Sequence, residues 1–379
     1  MRGGRGLAGG VDAVLKTPRP PRLKFIDLAR AIAILLMLEG HFVGLTLAAK
    51  FCDPSNELYN FWREVRGFSA PLFFTVAGMI FTFLLSGDVE GKFFGRVRVR
   101  KGLRRVAELF FWGYLLQLSL KNFGAYLRFD FADWVYAFHV LQCIGAGLLG
   151  LIAVAWVQSV VPRVGLYWFY GVAMVVAVAG FLWLKGVPGD GYLPSGWPQV
   201  FQNLVRGPRS VFPLVPWLGF VFLGGAMGVA VRRYQSHLTT AKSCLWFFGL
   251  AGVLKLVWLA AIGLGEVVGF SSVDVAWFTN RAFQVVTFLG VLRWIEVRYG
   301  IGVPRLLCCG RLTLEIYVVH VVVLYGGVFG IGLDQVLVGR LSPWQAVLGA
   351  VIFMGVFFAF AQVWDWRRVK FSPKKTGGA

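Results

Sequence analysis

The sequence predicts an all-α polytopic membrane protein, a bundle of about ten transmembrane helices with both termini cytoplasmic. Three observations predict it. The first is composition: of 379 residues, 58% are hydrophobic, 16% aromatic and 15% charged, with a mean hydropathy of +0.69, outside the range of soluble domains. Apolar runs of about twenty residues, the length that crosses the roughly 30 Å hydrocarbon layer, recur along the chain. Basic residues gather in alternate connections between those runs.

In order, the runs lie at 25–47, 67–87, 104–121, 134–161, 164–184, 212–231, 244–264, 278–296, 308–332 and 344–365, the third being the shortest. With the amino terminus inside, 26 of the 38 Lys and Arg fall on the inner side and 9 outside, while Arg30, Lys255 and Arg281 lie within helices. Cytoplasmic loops carry such an excess. Residues 1–23 read as a basic, Gly- and Pro-rich disordered cytoplasmic tail, 24–366 as a single transmembrane domain, and 367–379 as a second basic tail. The fifteen Trp and eleven Tyr suit helix ends at the headgroup level, and the forty-eight Gly suit close helix packing in lipid.

The net charge of +20 belongs to tails and loops, so it points to lipid headgroups rather than nucleic acid. Its densest part, "KFFGRVRVRKGLRR" (Lys92–Arg105), reads as an orientation determinant or as a landing surface for a phosphate-bearing donor. The five Cys have neither disulfide-framework nor metal-site spacing. The outer segment 185–211 is Pro- and Gly-rich and reads as a lid over an outward opening or as a plain connector.

The first run carries Asp27, Arg30, Glu39 and His41, although a charge in hydrocarbon costs a few kcal/mol or more. Eleven steps of 100° from Arg30 to His41 make three turns plus about 20°, so both share one face about 16 Å apart along the axis. A guanidinium suits phosphate oxygens, and an imidazole is a general base that titrates near neutral pH. The competing reading pairs Asp27 with Arg30 at the interface and gives His41 a polar interhelical contact.

"RAIAILLMLEGH" (30–41) resembles the Arg-x10-His signature of family-3 membrane acyltransferases. Together, "FIDLARAIAILLM", "RGFSAPLFFTVAGMIF", "FPLVPWLGFVFLGGAMG" and "GRLTLEIYVVH" resemble more closely the bacterial relatives of heparan-glucosaminide N-acetyltransferase. The resemblance implies a multi-pass acyltransferase of the bacterial inner membrane. It would move an acyl group, acetyl above all, from cytoplasmic acyl-CoA to a hydroxyl or amine of an extracytoplasmic glycan or glycolipid. In that reading Arg30 binds acyl-CoA, a co-substrate rather than a resident cofactor, and His41 is catalytic. The heparan enzyme places its catalytic His between the first two helices, where this chain has none from Ala48 to Arg66. The alternative is a transporter or lipid-handling protein without acyl transfer, which paired interrupted helices in two similar halves would mark; no such halves stand out.

Other polar residues complete the candidate site. His139 is expected about one and a half turns inside the fourth run, on a face with Tyr136 and Cys143. There it acts with His41 in catalysis or makes one structural hydrogen bond, to Gln142 or Asp133. Arg66 and Ser69 at the start of the second run, and Asn280 and Arg281 at the start of the eighth, form with Glu39 a candidate acceptor-binding vestibule; snorkelling arginines are the competing account. Thr313, Tyr317 and His320 form one stripe of the ninth run, expected to line a channel or stabilise the bundle. Glu315, on another face, needs a partner, for which Lys255 is a candidate.

Overall fold

The computed structural model describes residues 23–88, 90–128, 135, 137–185, 198–206, 210–234, 242–268 and 273–370. The first helices are α1 (Lys24–Thr46), α2 (Glu57–Leu85), α3 (Val97–Leu115), the single turn α4 (Phe123–Tyr126), α5 (Val140–Val160) and α6 (Leu166–Lys185). They are followed by α7 (Gln199–Arg206), α8 (Leu214–Arg233), α9 (Lys242–Val268) and α10 (Val273–Tyr299). The chain closes with α11 (Pro304–Arg311), α12 (Thr313–Tyr325), the short α13 (Asp334–Leu337) and α14 (Pro343–Lys370). Both basic tails, apart from residues 23 and 367–370, fall outside the described residues, as do Asp133, Tyr136 and most of 185–211.

Among the described residues eight helices are long and apolar enough to cross a membrane, and α11 with α12 makes a ninth crossing if that pair, bent by 73°, counts as one span. The remaining expected run falls on α3, which this measure of length and apolarity leaves out. Its first half carries Arg98, Arg100, Lys101, Arg104 and Arg105, and it buries a single face of Val99, Gly102, Val106, Leu109 and Gly113, packed on α5. That is an amphipathic helix, with its exposed face basic at one end.

Two helix starts also move. Helix α2 begins ten residues before the expected 67, because the Asn56 side chain accepts a hydrogen bond from the Tyr59 backbone N–H at 3.1 Å and caps the extra turns. Arg66 and Ser69 therefore lie inside α2 rather than at its start. Arg281 likewise lies inside α10, and His139 is the N-cap residue of α5 rather than a residue within it.

Helix α1 is the centre of the bundle, in contact with α2, α10, α11, α12 and α14. Helices α2 and α8 cross backbone to backbone. A Cβ at Gly224 would stand 1.9 Å from the Thr75 carbonyl oxygen, and one at Gly78 2.1 Å from that of Val221, so only glycine admits this approach. Thr82 adds an interhelical hydrogen bond from its hydroxyl to the Gly225 carbonyl at 2.8 Å. Outside this core, α6, α9 and α14 expose Trp168, Trp183, Trp246, Leu256, Trp344 and Ile352, as helices bathed in lipid do. The far end of α1 is tied down by Leu341, whose N–H donates to the Thr46 carbonyl at 2.8 Å and whose carbonyl accepts from the Ala48 N–H at 2.9 Å.

Candidate active site

The polar face of α1 meets α12 at both of its ends. Near the start of α1, the Arg30 guanidinium donates to the Thr313 hydroxyl at 2.8 Å. Near its end, Nδ1 of His41 lies 3.0 Å from Nε2 of His320. Both pairs join residues that regular helical spacing put on one stripe, and the two helices run parallel. The bend between α11 and α12 aims α12 along α1 and brings the two stripes together.

Two cavities lie along this face. The larger, of about 650 Å³, is lined by His41, Arg66, Ser69, His139, Tyr317 and Tyr325 among others. The smaller, of about 260 Å³, is lined by Arg30, Arg105 and Thr313 with a largely apolar wall. Phe73, Leu141 and Tyr317 line both, so the cavities adjoin across those three side chains. A separate apolar cavity of about 350 Å³ between α6, α8 and α9 contains none of the candidate residues.

Arg66 lies along a groove in α1 opened by Gly40 and Gly44. A Cβ at Gly40 would stand 2.8 Å from its Cγ, and one at Gly44 2.9 Å from a guanidinium nitrogen. Its guanidinium carbon sits 5.4 Å from the Trp62 ring centre, and Trp62 donates its indole N–H to Glu39 at 2.6 Å. Glu39 is thus a support for the Arg66 wall and does not itself line the cavity. The Ser69 hydroxyl donates to the Arg66 carbonyl at 2.9 Å.

The remaining candidates separate from this cluster. Arg281 is buried and pairs with Glu64 at 2.7 Å, while donating also to the Glu64 carbonyl and to Gln284; it does not line either cavity. Glu315 pairs with Arg368 rather than Lys255, whose ammonium sits 3.3 Å from the Trp258 ring centre. His139 faces the larger cavity from the α5 entry, and Gln142 bonds to Gln117 at 2.6 Å instead of to His139. Contacts between separate segments thus give Arg281, Glu315 and Gln142 the partners Glu64, Arg368 and Gln117.

Gln117, Ser119, Gln142 and Tyr325 are among the lining residues that escaped the sequence reading, and Arg105 entered it only as the end of the Lys92–Arg105 segment. Among the described residues the buried Gln142 side-chain oxygen has no hydrogen-bond partner, while its amide donates to Gln117, which in turn donates to the Ala137 carbonyl at 2.8 Å. A polar amide inside an apolar run was the available signal, since such a group needs a partner in lipid. Arg105 was hidden in a basic segment whose charges are equally expected at a membrane surface.

The family model described as heparan-α-glucosaminide N-acetyltransferase, catalytic, matches residues 22–253, more than half of the chain. No curated protein matches it.

Proposed function

The chain belongs to the heparan-α-glucosaminide N-acetyltransferase catalytic family, and from that premise we propose that it transfers an acetyl group from cytoplasmic acetyl-CoA to an amine or hydroxyl of an extracytoplasmic saccharide. One observation carries the reading: the Arg30 cavity and the His41 cavity adjoin through Phe73, Leu141 and Tyr317, giving a path along α1 for a donor made on one side and used on the other.

The positive-inside partition puts the Arg30 end at the cytoplasm. Arg30, held by Thr313, takes phosphate oxygens of the donor, and Arg105 adds a second cation at the same cavity. The pantetheine arm, a narrow and mostly uncharged chain, passes Tyr317 so that the thioester enters the larger cavity. The saccharide occupies that cavity from the other side, where Ser69, His139 and the Gln142 oxygen, which has no partner among the described residues, offer it hydrogen bonds.

His41 takes the proton from the acceptor nitrogen or oxygen as its lone pair attacks the thioester carbonyl. The carbonyl π electrons move to oxygen, and Arg66, whose guanidinium donates no hydrogen bond to a described residue, stabilises that oxyanion. When the tetrahedral adduct collapses, the C–S bond breaks and the sulfur leaves with its electron pair. The proton held by His41 then goes to that sulfur, and free coenzyme A withdraws the way it came.

The test uses the purified protein in lipid nanodiscs with acetyl-CoA and glucosamine, read by thiol release and by the sugar's mass. Saccharide-dependent thiol release with one acetyl added per sugar is the expected result. If neither glucosamine nor the polysaccharide of cells lacking the gene accepts acetyl, while proteoliposomes take up solute, the protein is a transporter.

A further inference from the structure

We propose that His320 is a positioning residue that fixes the tautomer of His41 and so makes its Nε2 the base. This rests on the reading of His41 as the base, and adds to it a group from α12, beyond the segment that the family model matches.

Two hydrogen bonds set the tautomers. His320 is fully buried, and its Nδ1 lies 3.2 Å from the carbonyl oxygen of Ile316, one turn earlier on α12. A carbonyl only accepts, so Nδ1 of His320 carries the proton and the neutral ring has its lone pair at Nε2. That Nε2 is the atom 3.0 Å from Nδ1 of His41. His41 is therefore the donor, its Nδ1 is protonated, and its own lone pair stands at Nε2. The opposite tautomer would turn two lone pairs on each other at 3.0 Å and leave His41 without a basic nitrogen for the cavity it lines.

His41 makes no other side-chain hydrogen bond to a described residue, and no carboxylate of the described residues accepts from it. Among the described residues, the charged and titratable groups that face it are Arg66 from α2, with His320 and Tyr325 from the broken span, and His139 and Tyr317 line the same cavity. His320 itself is held edge-on by Tyr317, at a ring-centre distance of 5.1 Å, and by Phe357 of α14 at 6.4 Å. In so apolar a wall an unpaired carboxylate would be costly, whereas a neutral imidazole supplies the same acceptor without charge. When Nε2 of His41 takes the acceptor's proton, the imidazolium keeps its Nδ1–H on His320, now as a charge-assisted hydrogen bond. The proton later leaves from Nε2 to the thiol sulfur, so His320 neither gains nor loses one.

The test combines a spectrum with kinetics. Protein labelled with ¹⁵N-histidine contains only four such residues, and in lipid its ¹⁵N spectrum distinguishes the two neutral tautomers, with His41 assigned by the signal that His41→Gln removes. We expect His41 protonated at Nδ1, and a mixture of tautomers in His320→Leu. With acetyl-CoA and glucosamine, His320→Leu should lose about 10²-fold in kcat, as a misaligned reacting group does, with KM for acetyl-CoA within about twofold. His320→Gln, whose amide oxygen can accept from Nδ1–H, should recover at least about tenfold of that loss. A wild-type spectrum with His41 protonated at Nε2 overturns the proposal, and it does so even if His320→Leu fails to fold. Unchanged kcat in His320→Leu beside an inactive His41→Gln overturns the positioning role alone, while full activity in His41→Gln overturns the base and the dyad together.

Discussion

The two ends of α1 are built alike and equipped differently. Each offers one ionisable side chain to one partner on α12, Arg30 to Thr313 and His41 to His320. At the Arg30 end the partner is a hydroxyl, the cavity is small, and the other cation is Arg105. At the His41 end the partner is a second imidazole, the cavity is more than twice as large, and hydroxyl, amide and guanidinium groups surround it. One end suits holding a charged group in place, and the other suits moving a proton. A single helix can thus divide binding from chemistry if its polar face is long enough to reach both sides of the membrane.

The largest effect expected from breaking this division is at the proton-moving end. His41→Gln keeps a hydrogen-bonding side chain but removes the titratable nitrogen, and kcat should fall by about 10²–10⁴-fold. Steady-state assays at saturating acetyl-CoA and acceptor check this. An unchanged kcat would erase the distinction between the ends.

At the holding end, Arg30→Ala should act on donor affinity rather than on turnover. A charged hydrogen bond contributes about 1.5–3 kcal/mol, which corresponds to roughly 10- to 150-fold in Kd for acetyl-CoA. Calorimetric titration separates this from a fall in kcat. Thr313→Val is the milder version: it leaves the guanidinium in place and removes the hydroxyl that orients it, at about 0.5–1.5 kcal/mol, or about two- to twelvefold in the same Kd.

Gly40→Ala sharpens the comparison from the other side. The added methyl meets Cγ of Arg66 at 2.8 Å, and that flexible side chain must shift along the groove. A few-fold rise in the acceptor's KM with an unchanged Kd for acetyl-CoA is expected, since only the larger cavity is touched.

The smallest effect concerns which end faces out. Cys52, between α1 and α2, is the one cysteine not buried, whereas Cys143, Cys244, Cys308 and Cys309 are. A membrane-impermeant thiol reagent added to intact cells should label this position alone and leave transfer unchanged. Labelling that needs broken cells would reverse the two ends.

How much of this was legible beforehand differs between helix and assembly. Apolar run length and charge partition are one-dimensional properties, so the class of the molecule, most of its spans and the shared face of Arg30 and His41 could be read directly from residue order. Run length read α3 as the shortest span; its first half carries five basic residues, and it runs from Arg105 and Leu109 at the smaller cavity to Gly113 and Leu116 at the larger. Run length also missed the early start of α2, since Asn56 caps turns that apolarity does not mark.

The sequence by itself determined the stripes: Arg30 with His41 on α1, and Thr313, Tyr317 and His320 on α12, because 3.6 residues per turn fixes what shares a face. Only the tertiary structure decided which stripes meet. Arg30 and Thr313 are 283 residues apart, and His41 and His320 are 279 apart. Their contacts depend on the 73° bend before α12 and on glycines that let helices approach. The same packing took Arg281 into a pair with Glu64 and Glu315 into a pair with Arg368. A charged side chain takes the partner that packing brings within reach, and helical periodicity holds no information about neighbours on another helix.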